Sequence, residues 1–292
     1  MSRVMMRRRG FSTRLAWGSR PSALRDRGAF MKSRVHAEAV VFRRSNAGAR
    51  VRVLATGEVI AVRASNLWHV MPGHVVTVDV RLRGRVGGLL VGEGVVSNPR
   101  VDVPALGLPP LKVLERGAIR IASAPVEVKA YVMEQVPPLV GSDSDPICDA
   151  AHRKRHGDMR GAIGLLQDVL GEDLRCLDAH AHLGNWAFPT LPAHALLHYE
   201  IGVAIGDHAL GPAFTGALLW SLLDNRPFLR CLHGQGLALW RLGRLEEAAQ
   251  VFERLLRLSP TDELNAERKR TEVLAGTAWD EGEASHSIDT GA

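Results

Sequence analysis

His233–Pro260 reads HGQGLALWRLGRLEEAAQVFERLLRLSP. Gly236 and Leu239 set a small and a large side chain on a first helix, which Gly243 ends. Leu245 opens a second helix whose inner stripe is Ala248, Phe252 and Leu255, and Pro260 closes it. Small residues let two antiparallel helices approach, and large ones fill the hole opposite. Such a pair still has an apolar face that only a neighbouring pair covers. The stretch therefore predicts similar pairs beside it.

The spacing from Gly236 to Pro260 closely resembles a tetratricopeptide repeat, without a gap. Weaker copies lie upstream. Ala150–Leu170 repeats the pattern with Ala150, Gly157, Met159, Ala162, Leu166 and Val169. Asp178–Gly206 repeats it with Leu183, Gly184, Ala195, Tyr199 and Gly202, after one inserted residue near Pro189–Pro192. Three units are about the minimum for a stable stack. Gly211–Arg226 is read as an insertion whose Phe214, Leu218, Leu219 and Trp220 form an extra helix, and Glu263–Trp279 as a polar capping helix. The run from Cys176 to Arg244 is also similar to a group of bacterial tetratricopeptide proteins with a β-rich N-terminal part, a likeness that implies no particular reaction. TDELNAERKR (Thr261–Arg270) departs from the NDNQG continuation of that group.

The front of the chain has the other period. VHAEAVVF (Val35–Phe42), ARVRVLATG (Ala49–Gly57) and EVIAVRA (Glu58–Ala64) are strand-like, with a turn at Thr56-Gly57. Pro72-Gly73 turns into His74–Gly84, where Val76, Val78, Val80 and Leu82 share one face and Asp79, Arg81 and Arg83 the other. Glycine-laced Val86–Val96 suits a tight barrel bend. Five short strands predict a small OB- or SH3-like barrel. TGEVIAVRASNLWHVMPGHVVTV (Thr56–Val78) resembles the OB domains of bacterial initiation factors and S1 proteins, with His74 where that pattern has an acid. Trp68 is read as a barrel plug.

The expected fold class is therefore α+β and multidomain. Residues 1–34 form a basic tail, 35–100 the barrel, 101–145 a proline-rich linker, 146–275 the helical repeats, and 276–292 a second tail. The 292 residues carry a net charge of +6, unevenly spread: +9 over 1–34, +5 over 35–100 and −8 over 101–292. Any polyanion would thus meet the first hundred residues. The arginine-rich tail has three readings: an extension ahead of a start at Met31, a basic arm that docks on nucleic acid, or an organellar transit peptide. It lacks the apolar stretch of a secretory signal. No run is long and apolar enough to span a bilayer. Cys148, Cys176 and Cys231 lack CxxC spacing, so a reducing, cytoplasmic setting is expected.

No catalytic constellation stands out. His152/His156 and His194/His198 are i, i+4 pairs able to chelate, but no further ligands complete a set, and HALLH has Ala195 where a zinc protease has glutamate. There is no GxSxG elbow and no phosphate-binding GxxxxGK[ST] loop. We therefore expect no enzyme activity, no cofactor and no metal. An enzyme would need converging polar groups in a pocket at the barrel–helix junction.

In a tetratricopeptide stack the first helices line a concave groove. Carrying those positions onto this chain implies Lys154, Arg155, Asn185, Phe188, Arg230, His233, Leu237, Trp240 and Arg241 as partner-binding residues. The arginines suit an acidic protein or peptide, though Gly234 stands where the two-carboxylate clamp of chaperone-binding relatives has a basic residue. A non-enzymatic adaptor follows as the leading expectation. The alternative is an RNA- or single-stranded-DNA-binding barrel using Arg50, Arg52, Arg63, Arg81, Arg83 and Arg85.

Overall fold

A computed structural model describes residues 33–120, 127–136 and 145–280. The tails assigned to 1–34 and 276–292 lie outside these residues except for 33–34 and 276–280. Strands β1 (Arg34–Ser45), β2 (Gly48–Val53), β3 (Val59–Arg63), β4 (His74–Val86) and β5 (Leu89–Val101) close a barrel in the order β1-β2-β3-β5-β4. β4 returns to β1, and only the β3–β5 pair is parallel. This is a five-stranded Greek-key barrel of OB type. The alternation read in the sequence fills it: Val41, Val51, Ile60, Val62, Val76, Val78 and Val80 are buried inside. Gly94 is required where β5 crosses β4, because a Cβ there would lie 2.0 Å from the Asp79 carbonyl oxygen.

The helices are α1 (Pro146–Arg155), α2 (Met159–Glu172), α3 (Leu177–Ala187), α4 (Pro192–Leu210), α5 (Arg226–Arg241), α6 (Leu245–Leu258) and α7 (Ala266–Leu274). α1/α2, α3/α4 and α5/α6 are antiparallel pairs, α5 packs on both α3 and α4, and α7 covers α6. Gly236 lies against the Phe252 ring, where a Cβ would meet Cε1 at 2.7 Å. Gly184 and Gly234 both lie against Tyr199. Tyr199 follows Gly184 by fifteen residues and Phe252 follows Gly236 by sixteen, so the second unit is one residue shorter and not one longer. Gly236→Val is expected to destabilise the protein by about 1–3 kcal/mol through overpacking. A urea midpoint that does not fall would contradict this packing.

Two expectations change. The stretch 101–145 is not merely an extended linker, for it contains β6 (Val113–Arg120) and β7 (Glu127–Met133), an antiparallel hairpin. Its prolines flank these strands and do not interrupt them. The insertion after α4 does not form an extra helix. It contributes β8 (Ala217–Leu218), which adds in parallel to β7, and a 3-10 turn at Leu223–Asn225. Parallel pairing to a strand some ninety residues earlier leaves no local signal.

The barrel is fused to the helices. Val40, Met71 and Val75 belong to the same buried core as α2, α3, α4 and α5, together with Leu106, Leu111 and Met133. Trp68 is 54% exposed and stacks on His194 of α4 at 6.0 Å, so it does not plug the barrel.

Candidate functional site

The first helices of the pairs form one row. Asp178, His182 and Trp186 stand four residues apart on one stripe of α3, and Arg230 of α5 donates to Asp178 at 3.3 Å. His182 lies 3.8 Å from the same carboxylate, and burial lowers its proton affinity while Asp178 opposes that effect. The Lys154 ammonium of α1 sits 5.6 Å from the centre of the Trp186 ring. The guanidinium groups of Arg226 and Arg230 lie 5.1 and 5.7 Å from the Trp220 ring. This stripe and its neighbours therefore pair cations with aromatic faces, contacts worth about 0.5–2 kcal/mol each. Arg155 is exposed nearby on α1.

The space between the C-terminal ends of α3 and α5 is filled. Phe188, Leu237 and Trp240 are buried, so none is an open contact. Trp240 donates its indole N–H to the Thr277 carbonyl at 2.8 Å. Trp279 meets Trp240 edge-on at 5.2 Å and Phe188 at 5.5 Å. The Arg241 guanidinium lies over Phe188 at 5.2 Å and donates to the carbonyls of Phe188 and Pro189. Asn185 accepts from the Tyr199 hydroxyl at 2.7 Å. His233 is buried beside Phe252, its Nε2 has no partner, and burial with nearby Lys269 pulls it down to about 3. Of the nine groove residues, then, Lys154, Arg155 and Arg230 stand along the open stripe, and the rest hold the stack together.

Sequence reasoning did not place Asp178, His182, Trp186 or Trp220 along the open stripe, nor Trp279 at the filled end. A tryptophan in the otherwise polar stretch after α7 was the one visible signal.

The six barrel arginines fall into two groups. Arg50 pairs in register with Arg43, which forms an ion pair with Asp168 of α2, and Arg52 donates to the Leu106 carbonyl at 3.2 Å. Both therefore sit at the seam with the helices. Arg63 and Arg81 are each in register with Glu93, which also takes Arg83 at 3.0 Å, while Arg85 reaches Glu58 at 3.4 Å. Such exposed pairs contribute little to stability, but they reduce the positive field available to a polyanion.

Three histidines meet where the barrel joins the helices. His74 opens β4, His180 lies on α3 and His198 on α4, and all are buried. His180 and His198 approach through their Nδ1 atoms at 3.4 Å, His180 Nε2 faces the Leu174 carbonyl at 3.2 Å, and His74 Nδ1 accepts from the Met71 amide at 3.2 Å. Burial drives His74 and His180 down to about 4 and His198 well below its ordinary value. Among the described residues, no group of three or more histidine, cysteine or acidic side chains is arranged to hold a metal ion. His152 and His156 stack with ring centres 4.1 Å apart on exposed α1.

An open cleft of about 1140 Å³ lies where the barrel meets α4, α6 and β7. Its walls include Arg100, Asp102, Asp207, His208, Arg254 and Arg257. Arg254 is ion-paired to Asp207, and Arg100 to Glu38 at 2.8 Å and Asp102 at 3.7 Å. Arg254 and Asp207, and Arg100 and Asp102, are thus already engaged in ion pairs. No helix among the described residues is long and apolar enough to cross a membrane.

Compared with known proteins, residues 229–262 match the tetratricopeptide repeat. No curated protein and no solved structure gives a match.

Proposed function

We propose that this chain, which carries a tetratricopeptide repeat at 229–262 behind an OB-like barrel, is a non-enzymatic adaptor. Tetratricopeptide repeats are protein-interaction modules, and the row of first helices is where such a stack presents contacts. The partner is a protein or peptide bound along the open stripe of the row. The observation that carries this reading is the group Lys154–Trp186 and Arg226/Arg230–Trp220, half-buried cations on aromatic faces. Arginine and tryptophan dominate binding hot spots because they bury large area and still hydrogen-bond. With Arg155 they favour an acidic partner, whose carboxylates take the guanidinium groups in bidentate fashion. The barrel serves as a fixed platform, because its outer face at Val40 and Val75 is already buried against the helices.

A photo-crosslinking side chain placed at Arg155 tests this. It is expected to trap one defined protein. The Lys154→Glu/Arg226→Glu variant, unfolding at the same temperature, is expected to lose that adduct. Equal trapping by the variant would remove the open stripe as the contact.

A further inference from the structure

The filled end of the row has a different consequence. We infer that Phe188, Trp240 and Arg241 form a seat for an aromatic side chain carried on an extended segment, and that the chain's own Thr277–Trp279 occupies it in place of a partner. This rests on the adaptor reading and names the second chemical feature of the ligand.

Three observations lead there. First, the segment is not needed to cap the stack. α7 already packs on α6, and its buried Ala266, Lys269 and Val273 close that face. After Gly276 the chain turns back, and Thr277 and Ala278 are exposed while Trp279 is partly buried. Second, the contacts are those of a groove reading a peptide. One side-chain donor, Trp240 Nε1, takes a main-chain carbonyl at 2.8 Å. One anchor ring, Trp279, sits edge-on to two others with interplanar angles of 79° and 90°. Edge-to-face pairs of this kind add about 0.5–1.5 kcal/mol each beyond the area they bury. Third, the fit is incomplete. Trp279 Nε1 is buried and has no hydrogen-bond partner. A buried donor without a partner loses its hydration and recovers nothing. The seat thus accepts an indole without completing it. A phenylalanine, or a tryptophan on a segment that brings its own acceptor, avoids that loss and displaces the resident side chain.

The ligand class is therefore an extended peptide with one aromatic anchor at the filled end and acidic residues reaching toward Lys154 and Arg155. The resident segment has the same outline, with Asp280 following Trp279.

The test uses the full chain and the labelled peptide LAGTAWD, the sequence of Leu274–Asp280. Fluorescence anisotropy is expected to show binding to the Trp279→Ala protein, binding at least about tenfold weaker to the wild type, whose seat is mostly closed, and no binding of LAGTAAD to either. Equal binding of LAGTAWD to both proteins, or to neither while Trp279→Ala stays folded, overturns the inference. If Trp279→Ala does not fold, exchange of the Trp240 indole proton in the wild type decides. Exchange much faster than that of the buried α5 amides supports a seat that opens locally. Exchange only on global unfolding overturns it. The Arg155 adduct is independent of either result, so failure here leaves the adaptor reading standing, and loss of that adduct does not vacate the seat.

Discussion

Replacing Asn225 by alanine is expected to cost on the order of 4 kcal/mol of stability, because it takes a side-chain partner from one buried and two part-buried main-chain groups. Asn225 is fully buried between β7 and α5. Its carboxamide oxygen accepts from the Met133 amide at 2.8 Å, and its nitrogen donates to the Tyr131 and Leu219 carbonyls at 2.9 and 3.1 Å. β8 stops at Leu218, opposite Tyr131. The side chain then does for Tyr131 and Met133 what another strand residue would do, and ties the hairpin to the start of α5. Asn225→Asp keeps the acceptor for Met133 but turns an ionised oxygen toward two carbonyls, so it is expected to fare no better. Urea unfolding checks both variants. A loss below about 1 kcal/mol, the level of an ordinary surface substitution, would show that this staple is dispensable.

The second large effect is acid instability. His74 and His180 are held at about 4 and His233 at about 3, in each case chiefly by burial, and His198 is lowered in the same way. The unfolded chain protonates histidine near 6.5. Above that value both states are neutral and nothing is lost. As the pH falls from about 6.5 toward 4, the unfolded state takes up protons that the folded state refuses. Each such histidine then removes about 1.4 kcal/mol of stability per pH unit. Two or three acting together remove about 7–10 kcal/mol by pH 4, as much as the whole stability of many domains at about 5–15 kcal/mol. The seam is especially exposed to this, since His180 faces His198 and Arg44 adds positive charge near His198 and His194. Urea unfolding at pH 7.5 and pH 5.5 is expected to show a steep drop. His74→Asn supplies an oxygen acceptor in place of Nδ1 and does not titrate, so it is expected to flatten that slope by about one histidine's share. An unchanged slope would mean that His74 becomes protonated without loss of fold.

The two periodicities were legible because they are local. Alternating valines in β4 and the Gly236–Phe252 spacing each encode one element's buried face, and the closed barrel and antiparallel pairs follow. The hairpin β6–β7 was hidden by reading its proline content over too long a window. Only part of the candidate site was legible. Family positions include Lys154, Arg155 and Arg230, which lie along the open stripe, and also Phe188, Leu237 and Trp240, which are buried. Exposure depends on what else lands on a residue, and Trp279 reaches the last of these from 39 positions further along.

From the sequence alone came the barrel, the repeat and the charge asymmetry, because pleat and helix pitch impose their periods on neighbouring residues. The tertiary structure decided the rest: that barrel and helices share one core through Val40, Met71 and Val75, that Asn225 completes a sheet, and that Trp279 packs against Phe188 and Trp240. Each of these joins residues far apart in the chain, where no period relates one side chain to the other and only packing determines which surfaces meet.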